Sequence, residues 1–267
     1  MFNFCSLYSG SSGNCIYVGT DNTHVLVDVG VSGKKVEAGL NALDLTGGDI
    51  DGILVTHEHS DHIMGLGVIA RKYGIPIYAT ANTINAILNY KSLGKVDMSL
   101  FKEIVPDEPF QIKDVTVNPS GTWHDAADSC CYSFENGGKK ISIATDLGNF
   151  DDYLVNKLDG SDVLFIEANH DINMLQVGPY PYYLKQRILS NRGHLSNERA
   201  GQLIKCLLND HIKSIILGHL SKENNYEKLA YESVHLELRD NIYTNDVRDF
   251  NLQVAKRDCV SQLVSVG

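Results

Sequence analysis

Residues 53–65 read ILVTHEHSDHIMG. Within them, His57-x-His59-x-Asp61-His62 places three imidazoles and a carboxylate inside six consecutive positions. Side chains of this kind, gathered at the end of an apolar run, repel one another or stay unsatisfied unless they share a cation. Six residues cannot enclose a pair of metals alone. A fold containing this stretch must therefore bring further nitrogen and oxygen ligands to it. The donor types suit zinc, manganese or iron.

The missing ligands are expected at other strand ends. NCIYVG (14–19), THVLVDVG (23–30), GILVT (52–56) and IPIYAT (75–80) read as strands from their β-branched and aromatic content. Residues 31–45, 63–73 and 82–90 carry helical spacing. The middle of the chain turns to sheet over 108–122 and 130–146, with Asn-Gly-Gly at 136–138 as a hairpin signal. Strands follow at 162–169, 214–219 and 250–256, and helices at 196–210 and 222–239. Ser196 is the expected N-cap of the first of these helices. Periodicity alone gives a sheet core covered by helices. Three ligand-type residues follow apolar strands: His124, Asp146 and His219.

With 267 residues and 43% hydrophobic content, the chain has material for a sizeable core. The absence of an obvious linker predicts one domain over 1–267. The start MFNFCSLYSGSSG lacks a basic n-region and long apolar run, and no stretch approaches the ~20 apolar residues of a membrane span, so the expected location is cytoplasmic. Cysteines at 5, 15, 130, 131, 206 and 259 form no Cys-x-x-Cys pair and read as reduced, inert thiols. The formal charge of −10 excludes a bulk basic nucleic-acid coat but leaves room for a local basic groove.

The His57–His62 motif, followed by His124, Asp146 and His219, resembles the metallo-β-lactamase superfamily, with Asp28 in LVDVG matching its first, structural motif. The resemblance implies an α/β fold, an αββα four-layer sandwich with a two-metal site. It implies two divalent ions per chain: one on His57, His59 and His124, the other on Asp61, His62 and His219, with Asp146 as bridge. Antibiotic-hydrolysing members commonly carry cysteine where Asp146 stands, so the pattern leans to binuclear phosphodiesterases and nucleases. LYSGSSGNC (7–15), IEANHD (166–171), RGHLSNE (192–198) and LGHLSKENN (217–225) resemble the YycJ (WalJ) type of bacterial metallo-hydrolase. That group is associated with 5′ exonuclease action on double-stranded DNA, which makes DNA the expected substrate and partner.

Two divalent ions ~3.5–4 Å apart stabilise both oxygens of an in-line displacement and provide a hydroxide nucleophile near neutral pH. Asp61 is expected to orient that nucleophile. Glu167 and His194 resemble, in order and context, the acid–histidine relay of the RNase Z branch, and an imidazole oriented by a carboxylate suits general acid work. His170 is expected either to contact substrate or to brace its loop. Between Ile172 and Asn197 the chain has no acid but contains Lys185, Arg187 and Arg192 with Tyr180, Tyr182 and Tyr183, a composition suited to a phosphate backbone and stacked bases. Ser11, Ser12 and Asn14 lie in a small-residue turn able to form an anion-binding nest. The alternatives are a small-molecule, cyclic-nucleotide-like phosphodiesterase, a more distant thioester or lactone hydrolase, and a metal-stabilised regulatory module without activity. Metal identity, exonuclease or endonuclease mode, polarity and oligomeric state are open at this level.

Gly-His-Leu-Ser occurs twice, at 193–196 and 218–221. His219 ends an apolar strand and reads as a metal ligand. His194 precedes a helix and reads as a proton donor or phosphate contact.

Overall fold

The computed structural model describes residues 1–244 and 246–267. Its strands are β1 (Phe2–Tyr8), β2 (Cys15–Gly19), β3 (His24–Val27), β4 (Gly52–Leu54), β5 (Ile77–Thr80), β6 (Phe101–Ile104), β7 (Phe110–Ile112), β8 (Val115–Gly121), β9 (Cys130–Asn136), β10 (Lys139–Ala144), β11 (Val163–Glu167), β12 (Ser214–Gly218), β13 (Leu252–Val254) and β14 (Val264–Val266). They form two seven-stranded sheets, in the orders β14-β1-β2-β3-β4-β5-β6 and β13-β12-β11-β10-β9-β8-β7.

Strand alternation builds the layers. In β3, Val25 and Val27 face the core between the sheets, while Leu26 faces the outer core. In β11, Val163 and Phe165 point between the sheets; Leu164 and Ile166 point the other way, toward Leu203 and Ile204 of the helix Asn197–Leu207. Period-two geometry thus feeds two cores from strands whose sequence is apolar throughout. Helices Gly33–Asn41, Leu66–Tyr73 and Ala81–Leu88 cover one sheet. Asp152–Leu158, Asn197–Leu207 and Glu227–Leu238 cover the other. The result is the expected αββα order.

Strand direction places the site. β3 and β4 are parallel, as are β10, β11 and β12. β8 is antiparallel to β9, which is antiparallel to β10, so β8 runs with β10. The residues that follow β8, β10, β11 and β12 therefore emerge at one edge of the second sheet. The Asn-Gly-Gly hairpin forms as expected: Asn136 pairs with Lys139, and Gly137 and Gly138 both adopt positive φ, which glycine reaches without strain.

Several elements differ from the sequence reading. β1, β6 and β14 were not anticipated. β6 (FKEI) is an edge strand whose two central charges are exposed. β14 is three residues long and pairs with β1 from the far end of the chain. The expected helix over 63–73 is two helices, Ser60–Ile63 and Leu66–Tyr73. The break falls at Gly65, whose amide donates to Val29 O at 2.9 Å and where a Cβ would stand 2.1 Å from Val31 O. The helix expected from 222 begins at Glu227. No helix of the described residues is long and apolar enough to cross a membrane.

Candidate active site

The loop after β4 carries His57, His59, Asp61 and His62. It is fastened from below by the β2–β3 side of the sheet: Asp61 O accepts the amide of Asn14 at 2.8 Å, and His62 O accepts that of Val29 at 2.8 Å. Gly30 makes the approach possible, because a Cβ there would lie 1.6 Å from Asp61 O. Three residues within two positions of strand ends, Asp28, Asp146 and His219, adopt left-handed backbone with φ of 60°, 59° and 54°. Such conformations cost of order 1–3 kcal/mol each for non-glycine residues and persist where the surroundings over-determine them. All three side chains are turned into the same buried cluster, and the left-handed backbone that turns them is visible only in the tertiary structure.

The imidazoles are oriented through one nitrogen each. The Thr56 hydroxyl donates to Asp28 Oδ2 at 2.8 Å and lies 3.0 Å from His57 Nδ1, so its oxygen accepts from that ring. His62 Nδ1 donates to Asp28 Oδ2 at 2.7 Å, His124 Nδ1 to Gly193 O at 3.0 Å, and His219 Nδ1 to Glu167 Oε1 at 2.9 Å. Fixing Nδ1–H in this way presents Nε2 and its lone pair to the interior of the site. His59 turns its Nδ1 toward His124 Nε2, 3.3 Å away.

Around those free nitrogens the structure assembles groups whose donor atoms lie within 4.8 Å of one another: His57, His59 and His124; Asp61, His62 and His219; and His57, His62 and Asp146. Asp146 sits between the first two. Its Oδ1 is 3.9 Å from His57 Nε2, 3.6 Å from His124 Nε2 and 3.8 Å from His219 Nε2, and its Oδ2 is 3.2 Å from His62 Nε2. His57 Nε2 and Asp146 Oδ2 are buried without a hydrogen-bond partner. Unpaired buried polar atoms are costly, and a cation satisfies both at once. The electrostatics agree. Burial, with His62, His124 and His59 nearby, holds His57 well below the usual imidazole range. Burial also opposes charge on His62 and His219, but carboxylates outweigh it: Asp146, Asp28 and Asp61 raise His62 well above its ordinary value, and Asp146, Asp61 and Glu167 lift His219 to about 10. Several carboxylates thus crowd a buried cluster of imidazoles, a setting that a divalent ion would neutralise.

Glu167, the last residue of β11, is fully buried. Its Oε1 accepts from both His194 Nδ1, at 2.7 Å, and His219 Nδ1, at 2.9 Å. Its Oε2 accepts the amides of Leu147 and Leu195, at 2.9 and 3.1 Å. Burial favours the neutral acid, but His194 and His219 hold the carboxyl below its ordinary range. Burial likewise pulls His194 down, and Glu167 with Asp146 overcomes it to raise His194 above the usual value. The side chain of His194 remains 17% exposed, whereas that of His219 is 1% exposed.

His170 is buried, with both ring nitrogens unpartnered and its pKa brought down to about 4 by burial, so it is a neutral ring beside the Glu167 loop. Asn14 is buried and lies 3.2 Å from His62 Nε2. The amides of residues 10, 11, 13 and 14 donate to Asn14 Oδ1, Leu220 O, Gly10 O and Asp61 O, which leaves little of the expected anion nest. Ser12 Oγ instead accepts from Arg257, a cation the sequence reading passed over. Tyr182 and Tyr183 are 76% and 74% exposed and so are not core residues. Arg187 forms a two-pronged pair with Asp125, beside His124. Lys185 is turned to Gln176 O at 2.7 Å. Arg192 is exposed at the rim.

A family model for the beta-lactamase superfamily domain matches residues 23–219. The Exodeoxyribonuclease YycJ of Bacillus anthracis is 42% identical over 238 residues, 89% of each chain. The Exodeoxyribonuclease WalJ of Streptococcus pneumoniae is 44% identical over 230 residues, 86% of each chain. This chain belongs to the metallo-β-lactamase superfamily, in its YycJ/WalJ family. The superfamily fold is seen again in the metallo-beta-lactamase fold protein YhfI from Bacillus subtilis, with a TM-score of 0.69, 18% identity, and coverage of 98% of this chain and 100% of that one. Family and fold make the chain a metal-dependent hydrolase, and its His/Asp groups support divalent metal binding.

Proposed function

We propose that the chain is a DNA exonuclease that removes nucleotides from 5′ ends, acting as one unit over residues 1–267. The observation that carries DNA as substrate is the 42–44% identity, over 86–89% of both partners, to relatives named exodeoxyribonucleases. In this reading one divalent ion is held by His57, His59 and His124 and a second by Asp61, His62 and His219, with Asp146 shared. Zinc, manganese and iron all suit that nitrogen and oxygen set. The ions supply Lewis acidity toward a phosphoryl group and make a nucleophile available at neutral pH.

The chain's own residues do the rest. Asp28, Thr56, Gly193 O and Glu167 orient the ligand imidazoles through Nδ1. Asp61, whose Oδ2 lies 3.2 Å from His219 Nε2 and whose side chain is 23% exposed, orients the attacking water. His194, held on Glu167 and raised in pKa by it, gives its proton to the leaving oxygen. Arg187 and Arg192 rim the side on which the phosphate backbone lies, and His170 remains a neutral brace beneath His194. A small-molecule phosphodiesterase calls for a closed pocket, whereas the cleft beside His124 is open.

The test is incubation of purified protein with Mn²⁺ or Zn²⁺ and linear duplex DNA labelled at either the 5′ or the 3′ end, alongside a chromogenic phosphodiester. Early release of the 5′ label, with stepwise shortening of the 3′-labelled strand, is the expected result. Release from the 3′ end overturns the polarity, and hydrolysis of the chromogenic ester alone overturns DNA as substrate.

A further inference from the structure

Trp123, the sole tryptophan of the chain, stands directly before His124 and is 50% exposed. An indole buries a large apolar area when it serves a core; half in solvent beside a candidate metal ligand, this one is available to something else. It lines an open cleft of about 340 Å³ together with Thr122, His124, Asp128, Ser129 and Arg192. His124, which contributes to the lining, belongs to the His57–His59–His124 group, so the cleft lies next to the candidate metal ligands.

The main chain on both walls is pinned. Trp123 O accepts the amide of Gly148 at 2.7 Å, and Arg192 O accepts that of Asp125 at 3.0 Å. Gly148 leaves no room for a side chain, since a Cβ there would stand 2.4 Å from the Arg192 backbone. The two side chains, by contrast, are uncommitted. Arg192 is exposed, and among the described residues its guanidinium has no hydrogen bond or ion pair, unlike Arg187, which is taken up by Asp125. The wall hydroxyls are already paired with each other, Thr122 donating to Ser129 Oγ at 2.9 Å. An aromatic face recognises the π-surface that every base has, not a hydrogen-bond pattern, and so tolerates any sequence. A nearby free guanidinium matches a phosphate.

We propose that this cleft is a nucleotide subsite. The Trp123 indole stacks on a DNA base next to the scissile phosphodiester, and Arg192 contacts the adjoining phosphate. The proposal rests on the exonuclease reading and names where its substrate is held.

Because Trp123 is the only tryptophan, indole emission excited at the red edge, where tyrosine does not absorb, reports on this cleft alone. The metal-loaded protein is titrated with a short phosphorothioate oligonucleotide carrying a fluorescein label, so that anisotropy defines saturation. Quenching of the indole in step with anisotropy is expected. Trp123→Ala should keep the metal content of the wild type and raise KM for duplex DNA about tenfold, and Trp123→Phe should recover most of that loss. Arg192→Gln should weaken oligonucleotide binding and reduce the slope of log affinity against log salt by about 1. Saturated binding without quenching, or a Trp123→Ala KM within twofold of the wild type, overturns the subsite while leaving the exonuclease standing. Wild-type protein that does not cleave DNA overturns both.

Discussion

The two Gly-His-Leu-Ser stretches share their anchors and differ in backbone. In each, the histidine Nδ1 donates to Glu167 Oε1. In each, the leucine is buried in the same outer core, as Leu195 and Leu220. In each, the serine hydroxyl accepts the amide three residues on, Ser196 from Arg199 at 3.3 Å and Ser221 from Asn224 at 3.2 Å. The difference lies in the approach. His219 leaves β12 in a left-handed conformation and is buried, so its Nε2 meets Asp61 inside the site. His194 arrives from the loop before a helix and stays partly exposed. A shared local sequence supplies the anchors; the preceding element decides how deeply each ring is buried.

Substitutions should separate the two histidines. The largest effect belongs to His219→Ala, which removes a ligand nitrogen: activity should fall to background and one metal equivalent should be lost, as read by elemental analysis. Full metal content in that variant breaks the distinction. His194→Ala should retain both metals and lower kcat by about 10²–10⁴-fold, the usual worth of a positioned general acid; metal loss here would make the two histidines equivalent. Glu167→Gln touches both at once. Its clearest reading is metal affinity, expected to fall about 10–100-fold as the second anchor of His219 weakens, measured by competition with a chromogenic chelator. The smallest effect is Ser196→Ala, which removes the N-cap of the helix Asn197–Leu207 and should cost about 1 kcal/mol in urea unfolding without changing metal content.

Much of the candidate site is legible because its candidate ligands follow a readable rule: charged or imidazole side chains soon after apolar strands. His57, His59, Asp61 and His62 are adjacent in sequence, and His124, Asp146 and His219 each end a run that reads as a strand. Less of the frame was legible. β1 (FNFCSLY) buries residues on both faces, Phe2 and Phe4 between the sheets and Cys5 and Leu7 outside, so it has no polar alternation to mark it. β14 and the helices Ile172–Val177 and Tyr182–Ile188 are too short to carry a period.

The sequence by itself determined a sheet core covered by helices and, through its resemblance to a known superfamily, the αββα class; it also named the candidate donors and showed that one Gly-His-Leu-Ser histidine follows a strand while the other precedes a helix. Only the tertiary structure decided that a single oxygen of Glu167 serves both, because β11 lies between β10 and β12 and delivers its last residue to the point where the two loops meet. It also decided that Trp123 and Arg192, 69 positions apart, line one cleft. Periodicity reports which way a side chain faces within its own element. Which residues meet across loops depends on the order and direction of strands, and those are set by pairings between distant parts of the chain.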